Sequence, residues 1–309
     1  MSRILVTGAT GFVGRALVAD FAAAGHEVRA AVRRTSVQFA PAVEVAVHGN
    51  LSEGIDWRPL VLGMDAVIHL AGIAHAGAGI DEARYDRVNH QATAELANAA
   101  RAAGVGRLVF VSSIRAQSGP AADHVLSEAD EPRPDDPYGR SKLAAELAVS
   151  RSGAPFTIMR PVLIYGRGVK GNLHTLIRLA ALPIPLPFRA FRNRRSVLSV
   201  HNLVAAIAQV LRNESSRGET YVVADPQPIS FAGLVTALRA GMGKSHGLIA
   251  VPPGLVGAGL AAVGRSQIWN QLNGELIVDP AKLIATGWRP DADTDGAVAA
   301  MTRELRASS

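Results

Sequence analysis

The chain opens with a strand, a glycine turn and a helix, and that order restricts the fold more than any other feature. Ile4-Leu5-Val6-Thr7 is a continuous apolar run, Gly8, Gly11 and Gly14 punctuate the turn, and apolar residues recur at helical spacing from Phe12 to Ala24. Gly25 stands where a helix commonly closes on a glycine. Glycines at these positions let the backbone turn tightly and approach a pyrophosphate, while the helix start offers N–H groups and the positive end of its dipole. Glycines in a turn often mean only a turn. Here the triplet stands between strand and helix, the context that a dinucleotide-binding turn requires. The expected contacts are Gly8, Thr10, Gly11, Phe12, Val13 and Gly14.

Strand and helix go on alternating. Val28–Val32, Val43–Val47, Ala66–Leu70, Leu108–Val111 and Phe156–Met159 read as strands; Tyr85–Ala103 and Tyr138–Ser150 read as helices. Short continuous apolar strands separated by helices predict a parallel sheet covered on both faces, hence an α/β doubly wound Rossmann sheet. After residue 165 the pattern loosens. A helix (Leu203–Leu211), a strand (Thr220–Val223), a helix (Phe231–Ala240), strand-like Leu248–Val251 and Leu276–Val278 and a short helix near Asp279 predict a smaller α/β substrate domain. The expected division is 1–165 for dinucleotide binding and 166–309 for substrate, the second part discontinuous, with elements returning to the sheet.

Composition narrows the class. Cysteine is absent, which excludes disulfides, thiolate zinc sites and cysteine nucleophiles. It also suits a reducing cytoplasm, and Met1-Ser2-Arg3 runs into the first strand without a signal peptide, so a cytoplasmic location is expected. The formal net charge is +6, yet only four lysines occur and aromatics are 5%, not interleaved with the basic residues as a nucleic-acid platform needs. No nucleic-acid partner is expected. The longest apolar run, Gly247 to Val263, is shorter than the ~20 residues that span a bilayer. Pro252-Pro253 interrupts it, and it reads as a buried strand end followed by a Gly/Ala-rich helix, with a peripheral membrane contact as the alternative. No His pair has metal-ligand spacing with carboxylates, so no metal is expected; His69, His75 and His90 read as structural.

The end of the second strand reads Val32-Arg33-Arg34-Thr35-Ser36, where an NAD-binding chain usually presents an acid to the ribose. Two guanidinium forks suit a 2′-phosphate, so Arg33 and Arg34 favour NADP(H), with NAD(H) as the alternative and solvated loop arginines as the bland reading. Asn50-Leu51 after the third strand would meet the adenine edge; Leu70-Ala71-Gly72 after the fourth has small residues that let the backbone pass near the cofactor.

Tyr138 and Lys142 are four residues apart at a predicted helix start, which puts both on one face. A neighbouring ammonium, with a nicotinamide cation, favours the phenolate and makes Tyr138 a usable acid or base. Ser112-Ser113 end the fifth strand, where a hydroxyl can bond the substrate oxygen that Tyr138 serves.

The turn T-G-A-T-G-F-V-G resembles the extended and atypical branches of the short-chain dehydrogenase/reductase superfamily. Pro134–Lys142 and Arg160–Gly166 are similar to motifs of the nucleotide-sugar epimerase/dehydratase family. The resemblance implies that Ser113 is the catalytic serine, with Ser112 as alternate, and that Asn89 supports the site through main-chain contacts. It implies Pro161 beside the nicotinamide, Asn172 and Leu173 near a nucleotide diphosphate, Leu186 and Phe188 against the base, and Arg195 on the diphosphate. Ser196 and Asn202 stand where the family has Asp, and Ile114–Gly119 lacks its usual aromatic.

The expected function is reduction of a UDP-linked 4-keto sugar at C4, in polysaccharide biosynthesis. A UDP-sugar 4-epimerase with retained NAD is the alternative. A dehydratase would need an Asp-Glu pair after Ser113 that is absent. From another class, a non-catalytic dinucleotide-binding regulator is the competitor, against which the presence of Ser113, Tyr138 and Lys142 counts. The expected partner is a nucleotide-diphosphate sugar; a homodimer stays open.

Overall fold

The computed structural model describes residues 1–34, 37–74, 81–244, 247–262, 264, 269 and 273–307. Its strands are β1 (Arg3–Thr7), β2 (Glu27–Val32), β3 (Glu44–Val47), β4 (Ala66–His69), β5 (Arg107–Val111), β6 (Phe156–Pro161), β7 (Leu163–Tyr165), β8 (Arg194–Arg195), β9 (Val197–Ser199), β10 (Glu219–Val223) and β11 (Ile229–Ser230). The helices are α1 (Phe12–Ala23), α2 (Arg58–Val61), α3 (Glu82–Tyr85), α4 (Ala92–Ala102), α5 (Pro137–Arg151), α6 (Asn172–Ala180), α7 (Val200–Arg212), α8 (Phe231–Gly241), α9 (Pro253–Ala262), α10 (Ala281–Ala285) and α11 (Thr294–Ala307).

Seven strands form one sheet in the order β3-β2-β1-β4-β5-β6-β10, every pairing parallel. Side chains alternate across each strand, so β1 sends Ile4 and Val6 to one core and Leu5 to the other. The first core packs α1 and α7 on the sheet through Leu17, Phe21, Leu203 and Ile207; the second packs α4 and α5 through Leu96, Ala97 and Val149. Burial on both faces explains why these strands are apolar without alternation. Strand order reverses at β1, whose neighbours β2 and β4 lead away in opposite directions, and ligands in such sheets bind at the strand carboxyl ends beside that point.

From the later chain, β10 adds to the sheet beside β6, α7 packs against α1, and β7 pairs with β9. The remaining lobe has its own core: Phe188 meets Phe191 and Phe231 edge to face among Leu173, Leu186, Leu234 and Leu238.

Three local expectations need correction. The helix expected over Tyr85–Ala103 is divided: α3 runs into a π turn over Asp86–Gln91 before α4. The wider turn swings Asn89 inward, where it is 1% exposed. Leu248–Val251 forms no strand, making only a bridge from Leu248 to Leu186, and Leu276–Val278 makes only bridges to Arg195 and Leu126. The run after Gly247 is not buried: no residue of α9 is buried, and Leu255 is 65% exposed.

Candidate active site

The glycine turn is built by close approach. Gly8 has φ +68°, and a Cβ there would lie 2.8 Å from the Ala71 backbone. A Cβ on Gly14 would lie 2.2 Å from the Gly8 carbonyl oxygen, so only glycine lets α1 start flush against the turn. Gly11 takes the N-cap position without a side-chain cap, and the first turn of α1 carries no acid. The N–H groups there are left for an anion. Thr7 locks the turn to β4: its hydroxyl accepts from the N–H of Leu70 and of Ala71, both at 3.2 Å, and bonds His69 Nδ1 at 2.7 Å. His69 Nε2 reaches Thr93 Oγ1 at 2.9 Å, and burial pushes the imidazole down to about 3, a neutral structural ring.

Arg33 and Arg34 follow β2 directly, both exposed, and no carboxylate pairs with either among the described residues. Thr35, Ser36 and His75 lie outside those residues. Asn50 caps a 3-10 turn, accepting from Ser52 N at 3.2 Å and donating to Glu53 Oε1 at 2.9 Å, and Leu51 is buried. The adenine contact expected of Asn50 would have to displace those local bonds. Asn89 Oδ1 accepts from Ile73 N at 2.7 Å, and Asn89 Nδ2 donates to Ile73 O and to Ser141 Oγ at 3.0 Å each. It ties the segment after β4 to α5. His90 bonds Asp86 on its own turn.

The chemistry gathers where β5 ends and α5 begins. Asp136 caps α5, its carboxylate accepting from Gly139 N at 2.6 Å, with Pro137 in the first turn. Tyr138 therefore leaves the helix at its start and hydrogen-bonds with Ser113. Burial pushes the phenol up to about 12, a rise that the Ser113 bond opposes, so at neutral pH Tyr138 keeps its proton. One turn later Lys142, 6% exposed, donates to Val111 O at 2.9 Å and lies 4.2 Å from the Phe110 ring centroid. Burial pushes its ammonium down to about 7, opposed by Glu146.

Ser112 and Ser113 face opposite ways, as successive residues of an extended strand do. Ser112 Oγ donates to Glu146, and the carboxylate of Glu146 takes Arg160 Nη2 at 2.6 Å. The Arg160 guanidinium also donates to Gln117 Oε1 at 3.0 Å. The Ser112 side chain is thus committed to Glu146, while Ser113 is the serine that meets Tyr138. Pro161, next to Arg160, is buried at the end of β6. Glu146 was not singled out from sequence, although it falls on the Tyr138–Lys142 face at the next turn.

In the later lobe, Arg195 is half-buried with Nε and Nη2 unbonded, and burial together with the Arg115 charge lowers its pKa. Arg194 is exposed, on the other side of the strand. Arg115, another residue sequence reading passed over, bonds Asp135 and Asp136 at 2.7 Å while its Nη1 is buried without a partner. Asn172 starts α6 on the surface. Leu173, Leu186 and Phe188 are 3%, 2% and 5% exposed, their side chains filling the lobe's core rather than offering a face to a base. Ser196 accepts from Val278 N at 3.1 Å, and Asn202 donates to Asp225 Oδ1 at 2.7 Å, so both positions that depart from the family's Asp are structural joints here.

A glycine-walled helix start at the sheet's reversal point, with a Ser–Tyr pair and a buried Lys beside it, defines a dinucleotide-dependent enzyme site. The model of the NAD dependent epimerase/dehydratase family matches residues 4–224, and the chain belongs to that family. It is an NAD(P)-dependent enzyme of this kind. It is 31% identical to the UDP-glucose 4-epimerase of Vibrio cholerae, over 93% of this chain and 90% of that one. It is 30% identical to the ceramide reductase of Caulobacter vibrioides, over 94% and 86%. The structure of UDP-glucuronic acid 4-epimerase from Bacillus cereus in complex with UDP-glucuronic acid and NAD superposes with TM-score 0.79 at 19% identity, covering 99% of this chain and all of that one, a likeness of fold.

Proposed function

We propose that this enzyme reduces a UDP-linked 4-keto sugar at C4 with NADPH, residues 1–165 holding the dinucleotide and 166–309 the sugar nucleotide. The observation that carries the reading is the hydrogen bond between Tyr138 and Ser113 at the start of α5, which sets a phenolic proton beside the hydroxyl that would hold the C4 oxygen. The dinucleotide would lie along Gly8–Gly14, the backbone of Leu70–Gly72 and Pro161. When bound, the reduced nicotinamide supplies the hydride that a ketone accepts. Ser113 bonds the C4 oxygen, and Tyr138 gives that oxygen its proton. Lys142, in its charged form, eases the loss of that proton from the phenol by favouring the phenolate. Arg195, with two guanidinium nitrogens unbonded, takes the diphosphate. The family relative named as a reductase supports this direction. The location expected for such chemistry is the cytoplasm.

Arg33 and Arg34 support the cofactor choice, because the end of β2 presents two guanidiniums with no carboxylate partner among the described residues, and no acid follows the strand. Arg33→Asp should weaken NADPH binding far more than NADH binding, by ~1–3 kcal/mol, several-fold to about a hundred-fold. Titration of both dinucleotides by fluorescence decides it, and equal losses would make these arginines bystanders.

One observation favours a second reading, the 31% identity to a UDP-glucose 4-epimerase. The two part in a simple experiment. The reductase consumes NADPH in proportion to UDP-4-keto sugar and is purified without dinucleotide. An epimerase interconverts UDP-sugars at C4 with no net NADPH use and releases NAD on denaturation. That second result would replace the reductase reading.

A further inference from the structure

The helix α9 reads Pro-Gly-Leu-Val-Gly-Ala-Gly-Leu-Ala-Ala, apolar on every side; Val256 rests half-buried on the lobe's core, but no residue of the helix is fully buried. A helix apolar all round normally sits inside a core or a bilayer. At about 1.5 Å per residue it is ~15 Å long, half a hydrocarbon core, and no helix among the described residues is long and apolar enough to cross a membrane. It does not stand alone. The N–H of Ile249 donates to Leu186 O at 2.9 Å, and the N–H of Arg189 donates to Ile249 O at 3.1 Å, so the 182–189 segment runs beside the chain entering α9. Leu182, Ile184, Ile249 and Leu255 are 41%, 52%, 49% and 65% exposed, an apolar face made of both segments.

The two chain segments that form this face carry charge of one sign. The sequence has no Asp or Glu between Glu146 and Glu214, and none between Asp225 and Glu275. Seven basic residues lie from Arg167 to Arg195. Arg178, one turn before Leu182, and Arg189, beside Ile249, are both exposed, and neither has an ion-pair partner among the described residues. An exposed apolar helix bordered by unneutralised guanidiniums is complementary to a lipid surface whose headgroups are anionic. A second copy of this chain is a poor occupant, because a two-fold contact would set the same cations against themselves.

We propose that α9 and the adjoining 182–189 segment form a docking face for an anionic bilayer surface, α9 lying in the interface rather than crossing it. Arg178 and Arg189 contact headgroups while Leu255 and Ile184 enter the acyl boundary. This holds whichever substrate the active site takes.

The test is co-sedimentation of the full chain with vesicles of phosphatidylglycerol and phosphatidylcholine in equal parts, against phosphatidylcholine alone. The expected result is roughly tenfold more protein pelleting with the anionic vesicles at low salt, falling as salt rises. Ile184→Asp/Leu255→Asp and, separately, Arg178→Glu/Arg189→Glu should each remove most of that binding, with melting temperature and dinucleotide binding unchanged. Wild-type protein remaining in the supernatant with anionic vesicles would overturn the proposal, and so would variants that pellet like wild type. A wild-type dimer by light scattering that Leu255→Asp converts to monomer would assign the face to a second copy instead.

Discussion

Two helices of this molecule invert the ordinary relation between composition and burial. α5 is mixed and polar, yet it takes Ser141, Lys142 and Glu146 down to 5%, 6% and 3% exposure. α9 is apolar throughout, yet none of its residues is fully buried, and only Val256 rests partly on the lobe's core. Desolvating an ammonium and a carboxylate costs several kcal/mol each unless partners recover it. On α5 the partners are present: Val111 O for Lys142, Arg160 and Ser112 for Glu146. The outward face of α9 leaves unused the ~25 cal/mol per Å2 that burial of its apolar surface would yield. Each departure is a place where folding alone would have chosen otherwise, and so each marks function: chemistry on α5, an outside partner on α9.

The comparison breaks first at Tyr138. If the α5 face exists for proton transfer, Tyr138→Phe should lower kcat by ~10²–10⁴ while dinucleotide binding survives. Near-normal turnover would return α5 to a merely structural helix.

Next in size is Glu146→Ala. It leaves Arg160 buried with a charge that Gln117 cannot neutralise, and removing one partner of a buried ion pair costs ~3–5 kcal/mol. Chemical denaturation should show that loss, and Glu146→Gln should recover part of it by keeping an acceptor for Arg160. A loss under about 1 kcal/mol would place the pair among weak surface bridges.

Much of this was legible in sequence because the parallel sheet is covered on both faces. Continuous runs such as Ile4–Thr7 and Leu108–Val111 have few other ways to be buried, and Gly8, Gly11 and Gly14 are dictated by backbone distances that hold wherever such a turn occurs. The Tyr138–Lys142 spacing was equally plain, since a helix converts spacing into a shared face. What sequence hid depends on distant partners. Ser112 and Glu146 are 34 residues apart and meet only because β5 and α5 pack together. The π turn at Asp86–Gln91 changes helical register without altering local composition. Apolarity predicts a wish for burial, so it could not show that α9 goes without it.

Lys142 gives an effect that is spread over pH. Its folded pKa of about 7 lies below the ordinary 10.5 because burial disfavours the charged form. Between those values the unfolded chain binds a proton that the folded chain lacks, so stability rises as pH goes from 7 toward 10, by at most about 1.4 kcal/mol per pH unit. The penalty is fully present below 7 and gone above 10.5. Lys142→Met should flatten this slope in melting curves taken across that window. An unchanged slope in the variant would show that some other group sets it.

The smallest expected effect belongs to α9, and its smallness is the point. Leu255 is 65% exposed, on the outward side of a helix with no fully buried residue, so Leu255→Asp removes few contacts from the folded state. Its stability should stay within ~0.5 kcal/mol of wild type, as for surface substitutions away from caps and ion pairs. The matching change on α5, Val149→Asp, strikes a side chain that is 0% exposed within the second core and would bury an unpaired carboxylate. That variant should fail to fold or melt far lower. If Leu255→Asp were instead to lower the melting temperature as a core substitution does, the Leu255 face of α9 would be covered by the protein in solution. The contrast between the two helices would then be lost.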